Sequence, residues 1–599
     1  MFCGAALAFL ISGYGLLLVA IFRMVIYLVA GWRSRLLRSG AAQFAPESRL
    51  RTAARHWTYR KKPENVRYQC IYNAPKLAIF HRFGALSAII TRQIYQFFVD
   101  LARYSLSLWI LPCIFADTKC VIMSELIGRN AERELLERYI ESPKSEFIAI
   151  YGRRRVGKTY LITETFKSRL AFDMTGVLEG DREDQISSFF LSLQKAGYDG
   201  VRPKNWIEAF EALKIVLAPA MVKGNAIIFI DELPCLDTPR SGLVKALDLF
   251  WNGWANRQKN IKLIVCGSAT TWMVDNIIDN HGGLHDRITH ELHLHPFTLG
   301  ETEEYLKANG FRWNRLSIAQ AYMILGGIPY YLSLLDNGQS LTENIDRLFF
   351  SADAELHREY DRLFKSLFRN PQPYVRIIQL LSSNRKGLTR NEISEKLGKE
   401  TGGHLSKMLE NLENCDFIRK YCVREKKINS KNGIYQLVDF FTRFHNDFCA
   451  KGTTDDRYWS NTLNTPKQNT WYGLAFERLC QAHIPQIKKA LGVDRIHTEY
   501  YSWRSKESKP AAQVDLVIER ADQITNLCEI KYSRAEYSID SEENAKLQNR
   551  VADFERETGT SSAVNLTFIT TFGLKPNAYS SDIHYRVQLD ALFDEVKTR

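Results

Sequence analysis

The residues 152–159, Gly-Arg-Arg-Arg-Val-Gly-Lys-Thr, constrain the fold of this 599-residue chain more than any other segment. The six residues before them are mostly apolar and predict a short strand, and the residues after them predict a helix. A glycine-rich turn between a strand and a helix presents backbone N–H groups and the positive end of the helix dipole to an anion. The segment is therefore predicted to be a phosphate-binding P-loop in an α/β domain.

Each side chain of the loop has an expected role. Lys158 is expected to pair with the β- and γ-phosphates of ATP, and Thr159 to bind Mg²⁺. The remaining residues predicted to contact ATP are Gly152, Arg153, Arg154, Arg155, Val156, Gly157 and Tyr160. The alternative is a glycine turn without a ligand, and the strand–loop–helix context favours the nucleotide site.

An acid pair follows a second apolar run. Residues 226–230 predict a central buried strand, and Asp231 and Glu232 stand at its carboxyl end. Open α/β sheets hold their ligands at that edge. Asp231 is expected to hold Mg²⁺ through water, and Glu232 to polarise the water that attacks the γ-phosphate. An acid pair at a strand end is common, but its distance after the P-loop favours this interpretation.

Two further polar residues are candidates with open alternatives. Ser268 follows the apolar run 262–266, so it either touches the γ-phosphate or the attacking water, or caps the helix predicted from Thr270. Arg287 precedes an alternating strand predicted over 288–294. It is either an arginine finger, in cis or from a neighbouring subunit, or a solvated side chain.

Two motifs outside the loop connect the chain to a known family. Ile127-Gly128-Arg129 precedes the P-loop, and Gly326-Gly327-Ile-Pro329-Tyr-Tyr follows the last strand of the predicted domain. With the P-loop and the acid pair, they make the chain from Met123 onward resemble the archaeal-type ATPase family. That family belongs to the signal-transducing branch of the AAA+ P-loop ATPases, alongside the origin-recognition ATPases.

The resemblance implies a fold and two more site residues. It implies a doubly wound α/β P-loop core over 123–300 and a helical lid over 301–365. In the family the first motif contacts the adenine side, and the Gly-x-Pro turn of the lid reports the nucleotide state. Arg129 and Pro329 are thereby expected near ATP. Ser268 departs from the Asn or Thr that is frequent in AAA+ sensors, which leaves the hydrolysis rate open.

A winged helix-turn-helix is predicted over 366–445. Helical spacing over 374–382 is followed by a helix with Thr389 as its N-cap and Gly398 as its terminator, and by a third helix from Gly403. Two short strands flank a basic loop with Arg424, Lys426, Lys427 and Lys431. The third helix carries Glu410 and Glu413 beside His404 and Lys407, so DNA contact and inter-domain packing both remain open.

The C-terminal residues 465–599 carry a second candidate site. Asp515 and Glu529 are predicted on adjacent strands, with Lys531 on the same face as Glu529. Two carboxylates can hold Mg²⁺, and a lysine can position or deprotonate the attacking water. The order helix 472–491, strand 496–503, hairpin, helix 541–557 and strand 565–570 resembles the restriction-endonuclease-like fold, in which Glu477 becomes the helix-borne acid. The alternative is an inactive domain with a salt-bridged face.

Charge is concentrated at the N-terminus. Residues 1–122 hold 16 Lys and Arg against 4 acids, whereas the remainder holds 64 against 63, so the pI does not make the main body a nucleic-acid binder.

Residues 2–32 are apolar enough to span a bilayer. This segment is either an extension outside the functional protein, as from a mis-assigned start, or a membrane anchor with the ATPase in the cytoplasm. The 11 scattered cysteines argue against a zinc site and a disulfide framework.

Two functions follow as expectations. The first is a cytoplasmic Mg²⁺-dependent ATPase that acts on DNA or RNA through its winged helix and endonuclease-like domain. The second is a nucleotide-dependent switch that binds a protein partner and has an inactive C-terminal domain.

Overall fold

The computed structural model describes residues 126–596, apart from 280–282, 285, 369, 399–402, 422–432, 451, 453, 506 and 508–511. The predicted N-terminal segment, 1–122, and the basic wing loop lie outside the described residues. Within the described ranges, no helix combines the length and the apolar character needed to cross a membrane.

The first part of the described chain is a five-stranded parallel sheet with helices on both sides. Its elements are α1 (Asn130–Ile140), β1 (Glu146–Tyr151), α2 (Lys158–Phe166), β2 (Leu170–Thr175), α3 (Arg182–Lys195), α4 (Trp206–Lys223), β3 (Ala226–Asp231), α5 (Leu233–Leu236), α6 (Leu243–Gly253), β4 (Ile261–Gly267), α7 (Thr270–Met273) and β5 (His290–His293). A π-helical turn, Val274–Ile278, continues α7.

The order of the strands brings the motifs together. The sheet runs β2-β3-β4-β1-β5, so β4 lies between the strand before the P-loop and the strand that ends in Asp231. Ile264 of β4 pairs with Ile148 of β1 on one side and with Phe229 of β3 on the other. Because the strands are parallel, all three carboxyl ends meet at one edge of the sheet.

Both faces of the sheet are buried, which explains its continuous apolar runs. Along β1, Ile148 and Ile150 pack into one core with α1 and α2, and Phe147 and Ala149 pack into a second core with α3, α4 and α6. All four side chains are fully buried. The predicted α/β P-loop fold with a parallel sheet is confirmed. The strand predicted over 288–294 is shorter, His290–His293.

A helical segment follows the sheet. It consists of α8 (Leu299–Ala308), α9 (Arg315–Leu325), α10 (Pro329–Ser333), α11 (Leu341–Ile345) with a π-helical turn Asp346–Phe350, and α12 (Glu355–Leu367). The turn between α9 and α10 requires glycine at Gly327, whose φ is +65° and whose added Cβ would meet the Phe297 carbonyl oxygen at 2.4 Å. This turn holds the start of α10 next to the P-loop domain.

A small module comes next, with a three-stranded antiparallel sheet of order β6-β8-β7. Its elements are α13 (Gln372–Ser383), β6 (Leu388–Thr389), α14 (Arg390–Lys396), α15 (Gly403–Asn414), β7 (Ile418–Tyr421) and β8 (Ile434–Leu437). Thr389 caps α14 and forms a capping box with Glu392, as the sequence predicts. Two segments then lead out of the module, α16 (Phe440–Phe444) and a π-helical turn His445–Cys449.

The C-terminal part contains a mixed five-stranded sheet of order β13-β12-β11-β10-β9. Its elements are α17 (Tyr458–Asn461), α18 (Pro466–Ala482), α19 (Ile484–Ala490), β9 (Thr498–Arg504), β10 (Gln513–Arg520), β11 (Ile524–Lys531), α20 (Ser541–Thr558), β12 (Ala563–Thr570) and β13 (Tyr585–Gln588). The strands β9, β10 and β11 pair antiparallel, and β11, β12 and β13 pair parallel.

The single helix predicted over 472–491 is wrong. The structure has two helices that meet at His483, because Pro485 has no backbone N–H and its ring disfavours continuation of the preceding helix. The first helix also begins earlier than predicted, at Pro466, where the Thr465 side chain caps it.

Candidate functional site

A cavity of roughly 480 Å³ lies where the P-loop, the ends of β3 and β4 and the helical segment meet. The sequence-predicted residues among those that line it are Arg129, Arg154, Arg155, Val156, Gly157, Lys158, Thr159, Tyr160, Glu232, Ser268 and Pro329. A cavity of this size is in the range that binds small molecules and cofactors.

Lys158 begins α2 and is buried, with 6% of its surface exposed. Its Nζ donates hydrogen bonds to the carbonyl oxygens of Gly152, at 2.8 Å, and Arg153, at 3.0 Å. Burial lowers the pKa of the Lys158 ammonium below its ordinary value, although Cys266, Glu232 and Asp231 act in the opposite direction. Two of three ammonium protons are thus held by the loop itself, and the group faces the cavity in a fixed position.

Thr159 and Asp231 form a pair of oxygen donors beside the lysine. Thr159 Oγ1 donates a 2.8 Å hydrogen bond to Asp231 Oδ2, and Asp231 Oδ1 accepts from the Glu232 backbone N–H at 3.0 Å. The Cys266 thiol at the end of β4 also donates to Asp231 Oδ1. A hydroxyl at the start of α2, directly after the phosphate-binding loop, in contact with a carboxylate at the end of β3, is a pair of ligands that suits Mg²⁺. The residues therefore fit this ion.

Glu232 is positioned by the end of β4. Its backbone is left-handed, with φ +47°, which directs the residue out of the strand. Its Oε2 accepts hydrogen bonds from the Ser268 hydroxyl at 2.9 Å and from the Ser268 backbone N–H at 3.1 Å. The capping alternative for Ser268 is wrong, since α7 has no side-chain cap. The hydroxyl instead fixes one carboxylate oxygen of Glu232.

Arg129 lies at the cavity, but its guanidinium contacts the protein. Nη2 donates to the carbonyl oxygens of His295, at 2.6 Å, and Val156, at 3.2 Å, and the group stacks over the Phe297 ring at 4.7 Å. Its backbone N–H donates to Glu301 at 2.9 Å. Arg129 thus supports the loop from behind, because its strong donors are occupied by carbonyl oxygens of the fold.

The three loop arginines have three different environments. Arg154 lines the cavity. Arg155 makes a bidentate ion pair with Glu359 of α12, at 2.6 and 2.9 Å, and stacks over Tyr330 at 3.8 Å. Arg153 is 1% exposed, pairs with Asp439 and stacks over Phe417 at 5.1 Å. Arg153 is predicted among the ATP-binding residues, but its side chain is held in this buried ion pair and Arg153 is not among the residues that line the cavity.

Part of the cavity lining is apolar and aromatic. Pro329, the first residue of α10, lines the cavity with Leu126, Ile127, Phe297 and Tyr305. Such side chains suit a purine base, and Lys158 and the P-loop line the same cavity. Arg287 is exposed and is not among the residues that line the cavity.

The second constellation is partly assembled. Leu516 pairs with Cys528, so Asp515 lies one step away opposite Glu529 on neighbouring strands. Glu529 forms ion pairs with Lys531, at 3.0 Å, and with Arg550 of α20. Lys531 also contacts Glu543 at 2.8 Å. Two cations therefore neutralise Glu529.

Glu477 and Lys531 have shifted acidities in this constellation. Burial and the charge of Asp515 raise the pKa of Glu477 to about 8. Although burial opposes it, the carboxylates of Glu529 and Glu543 raise the pKa of Lys531, which stays a cation. In the part of the chain that the structure describes, the acids of this constellation do not form a group of three ligand atoms within 4.8 Å of one another.

Several contact residues escape prediction from the sequence. Glu359 lies 204 positions from Arg155, and Asp439 lies 286 positions from Arg153, so no local pattern connects them. Cys266 stands directly before Gly267 at the end of an apolar run. This position at the carboxyl end of a buried strand is the one feature of the sequence that could indicate a contact of Cys266 with the site.

Residues 126–335 match the family described as an ATPase domain predominantly from Archaea. An uncharacterized protein of Methanocaldococcus jannaschii is 26% identical over 368 residues, 61% of this chain and 78% of that protein. Among solved structures, a Walker-type ATPase of Pyrococcus abyssi is 20% identical with a TM-score of 0.40, covering 54% of this chain and 97% of its own. The ORC2 protein of Aeropyrum pernix is 14% identical with a TM-score of 0.36, covering 57% and 96%.

Proposed function

We propose that residues 126–335, which match the ATPase domain family described as predominantly from Archaea, bind MgATP and hydrolyse it to ADP and phosphate. One observation carries the proposal. Lys158, Thr159 and the Ser268-bound Glu232 line one cavity at the edge of a parallel sheet, and Asp231 accepts a hydrogen bond from Thr159 there. The sheet positions the three groups, because β4 separates the strands that deliver the lysine and the acids.

Binding of the triphosphate follows from the loop. The backbone N–H groups at the start of α2 and the Lys158 ammonium face the phosphates, and the aromatic part of the cavity lining receives the base. Thr159, and Asp231 through water, would hold Mg²⁺, which would neutralise negative charge on the phosphates. Arg154 lines the same cavity and contributes a further positive charge.

Hydrolysis requires a group that orients and polarises water. One Glu232 oxygen is fixed by Ser268, which leaves the other, Oε1, to accept a proton from a water molecule. Ser268 therefore acts on the reaction as a positioning residue. Its replacement by Ala would leave the carboxylate in place but less well oriented.

The test compares Glu232→Gln with the wild-type chain in steady-state ATP hydrolysis. We expect kcat to fall by about 10²- to 10⁴-fold with ATP affinity retained, because the amide keeps the shape but cannot take the proton. Glu164→Gln, on the solvent side of α2, is the matched control and should keep wild-type turnover. A Glu232→Gln chain that hydrolyses ATP at the wild-type rate would refute the proposal.

The contacts around the loop favour a nucleotide-dependent switch as the purpose of hydrolysis. Arg155 connects the loop to α12, and Arg153 connects it to Asp439 beyond the small module. The order of α13, β6, α14, α15, β7 and β8 supports a winged-helix assignment for that module. Its third helix, α15, packs against α7, and Lys407 bonds Asp275 at 2.7 Å. The helix that would read DNA in this fold thus faces the ATPase domain.

A continuous set of contacts leads from the reaction centre to that module. Ser268, which touches Glu232, is two residues from the start of α7, and α7 packs against α15. When the γ-phosphate is lost, the surroundings of Glu232 and Ser268 change. The preferred position of α7 therefore changes as well. In this proposal the small module that contains α15 responds to the nucleotide. A protein partner binds the outer surface of that module.

Nucleic-acid cleavage is the second candidate, supported by the placement of Asp515 opposite Glu529. The order of α18, β9, β10, β11, α20 and β12 supports a restriction-endonuclease-like assignment. For Mg²⁺ to bind there, Lys531 or Arg550 has to leave Glu529. Cleavage of DNA or RNA with Mg²⁺ or Mn²⁺, lost in Asp515→Ala but kept in the exposed control Asp522→Ala, would favour this candidate. The absence of cleavage with varied substrates would favour the switch.

A further inference from the structure

Three potential metal ligands lie close together near the end of β5, the strand that pairs with β1. His293 and His295 are two residues apart at the end of β5, and Asp416 lies in the turn between α15 and β7. One ligand atom from each of the three lies within 4.8 Å of the other two. No other such group of three occurs in the described ranges.

The distances match a small tetrahedral ion. Asp416 Oδ2 lies 3.2 Å from His293 Nε2 and 3.2 Å from His295 Nδ1. Ligands at the usual 2.0–2.1 Å from a tetrahedral Zn²⁺ are about 3.3 Å from one another. The two imidazole rings lie with their centroids 4.0 Å apart, and the three ligand atoms lie within 4.8 Å of one another.

The three side chains are held in place by the fold. The His293 ring stacks on Tyr151 at 4.7 Å, and Leu294 between the histidines is fully buried, which anchors the strand. Arg129 holds the His295 carbonyl oxygen at 2.6 Å. Asp416 has a left-handed backbone, with φ +59°, and its N–H donates to Glu413. Within the described part of the chain, the buried His293 Nε2 makes no hydrogen bond of good geometry.

From this geometry we propose that His293, His295 and Asp416 bind one transition-metal ion of the zinc class, with water as the fourth ligand. Two imidazoles and one carboxylate are ligands that Zn²⁺, Ni²⁺ and Co²⁺ prefer over Mg²⁺. The side chain of His295 is 60% exposed, which gives the ion and its water a route to solvent. This inference rests on three side chains alone and is independent of the proposed ATPase activity.

Metal binding at this place connects two parts of the molecule. His293 pairs with Tyr151, the residue directly before the P-loop, whereas Asp416 precedes the strand β7 of the small module. The ion fixes the module to the edge of the ATPase sheet. It therefore stabilises the arrangement in which Arg153 contacts Phe417.

The experiment titrates the metal-free full-length chain with Zn²⁺ by calorimetry and with Co²⁺ by visible absorption, both in excess Mg²⁺. We expect one equivalent per chain, a tetrahedral Co²⁺ spectrum, and a melting temperature that Zn²⁺ raises. His295→Ala should weaken Zn²⁺ binding at least about tenfold, a loss of ~1.4 kcal/mol. Asp416→Asn should do the same.

The controls separate this site from others. His290→Gln removes a histidine of the same strand that stacks on Tyr139, and it should bind Zn²⁺ like the wild type. Lys158→Ala and Asp515→Asn should also bind normally, because they alter the nucleotide cavity and the C-terminal constellation. Because His295 is largely exposed, its variant should stay folded without metal, although it loses the hydrogen bond to Asp416. Equal Zn²⁺ binding by His295→Ala and the wild type, or no saturable binding by the wild type, would overturn the proposal.

Discussion

The ion pair between Arg153 and Asp439 determines whether the P-loop keeps its shape. The Arg153 guanidinium and the Asp439 carboxylate are 1% and 4% exposed, so neither charge is solvated by water. Removing both partners of a buried pair costs little, but removing one leaves an uncompensated charge in a medium of low polarity. Asp439 also caps α16 through the Thr442 N–H, so the pair joins the loop to that helix.

Asp439→Asn should lower the free energy of unfolding by about 3–5 kcal/mol, because it retains the cap but leaves Arg153 buried without a counter-charge. The exposed pair Lys195–Asp173 offers the control. Asp173→Asn should cost about 0–1 kcal/mol, since water already solvates both groups. Urea denaturation measures both changes. Equal losses in the two variants would show that the buried pair does not hold the loop.

At the scale of elements, the break between α18 and α19 connects the C-terminal part to the helical segment. His483 at this break donates from Nδ1 to the Leu479 carbonyl oxygen at 2.9 Å, and its Nε2 accepts from the Leu299 N–H at the start of α8, at 3.0 Å. The bond accepted at Nε2 requires the neutral ring, since a protonated Nε2 cannot accept. Burial lowers the pKa of His483 to about 4.

Acid should therefore destabilise the protein in part through His483. The unfolded histidine binds its proton near pH 6.5 and the folded one near pH 4, so the stability is complete above about pH 6.5 and is lost as the pH falls towards 4. His483→Leu should reduce this loss. At pH 7.5 the variant should be less stable by about 1–3 kcal/mol, because the Leu299 N–H loses its acceptor.

Thermal or urea unfolding at several pH values measures the slope. His445, whose pKa burial also lowers to about 4, keeps part of the acid sensitivity in the variant. The exposed His497 provides the control, and His497→Leu should leave the slope unchanged. A His483→Leu chain with the wild-type slope would contradict the role assigned to this residue.

At the scale of the whole molecule, charge and contacts both support the proposed switch over the proposed action on a nucleic-acid duplex. The chain after residue 122 has 64 basic and 63 acidic side chains, and nucleic-acid affinity depends strongly on the number of phosphates that cations neutralise. In addition, α15 contacts the ATPase domain through Lys407. The near-neutral charge balance and the contact of α15 with the ATPase domain both support the proposed protein partner.

Local chemistry made the nucleotide cavity predictable from the sequence. A glycine loop and an acid pair lie at strand ends, and strand ends of a parallel sheet converge whatever joins them. The environments of Arg153 and Arg155 are not predictable, because their partners lie more than 200 positions away along the chain. The histidine and aspartate cluster was missed for the same reason, since Asp416 is 121 positions from His295. The break at His483 had a local signal in Pro485 that periodicity alone obscured.

Equilibrium binding of ATP to the full-length chain tests the central claim most directly. Lys158→Ala removes the buried ammonium, and we expect it to weaken binding of MgATP by at least about a hundredfold, or ~2.7 kcal/mol. Lys167→Ala alters an exposed lysine at the end of the same helix and should bind like the wild type. Calorimetric titration gives both dissociation constants. Unchanged affinity in Lys158→Ala would contradict the assignment of the cavity to ATP.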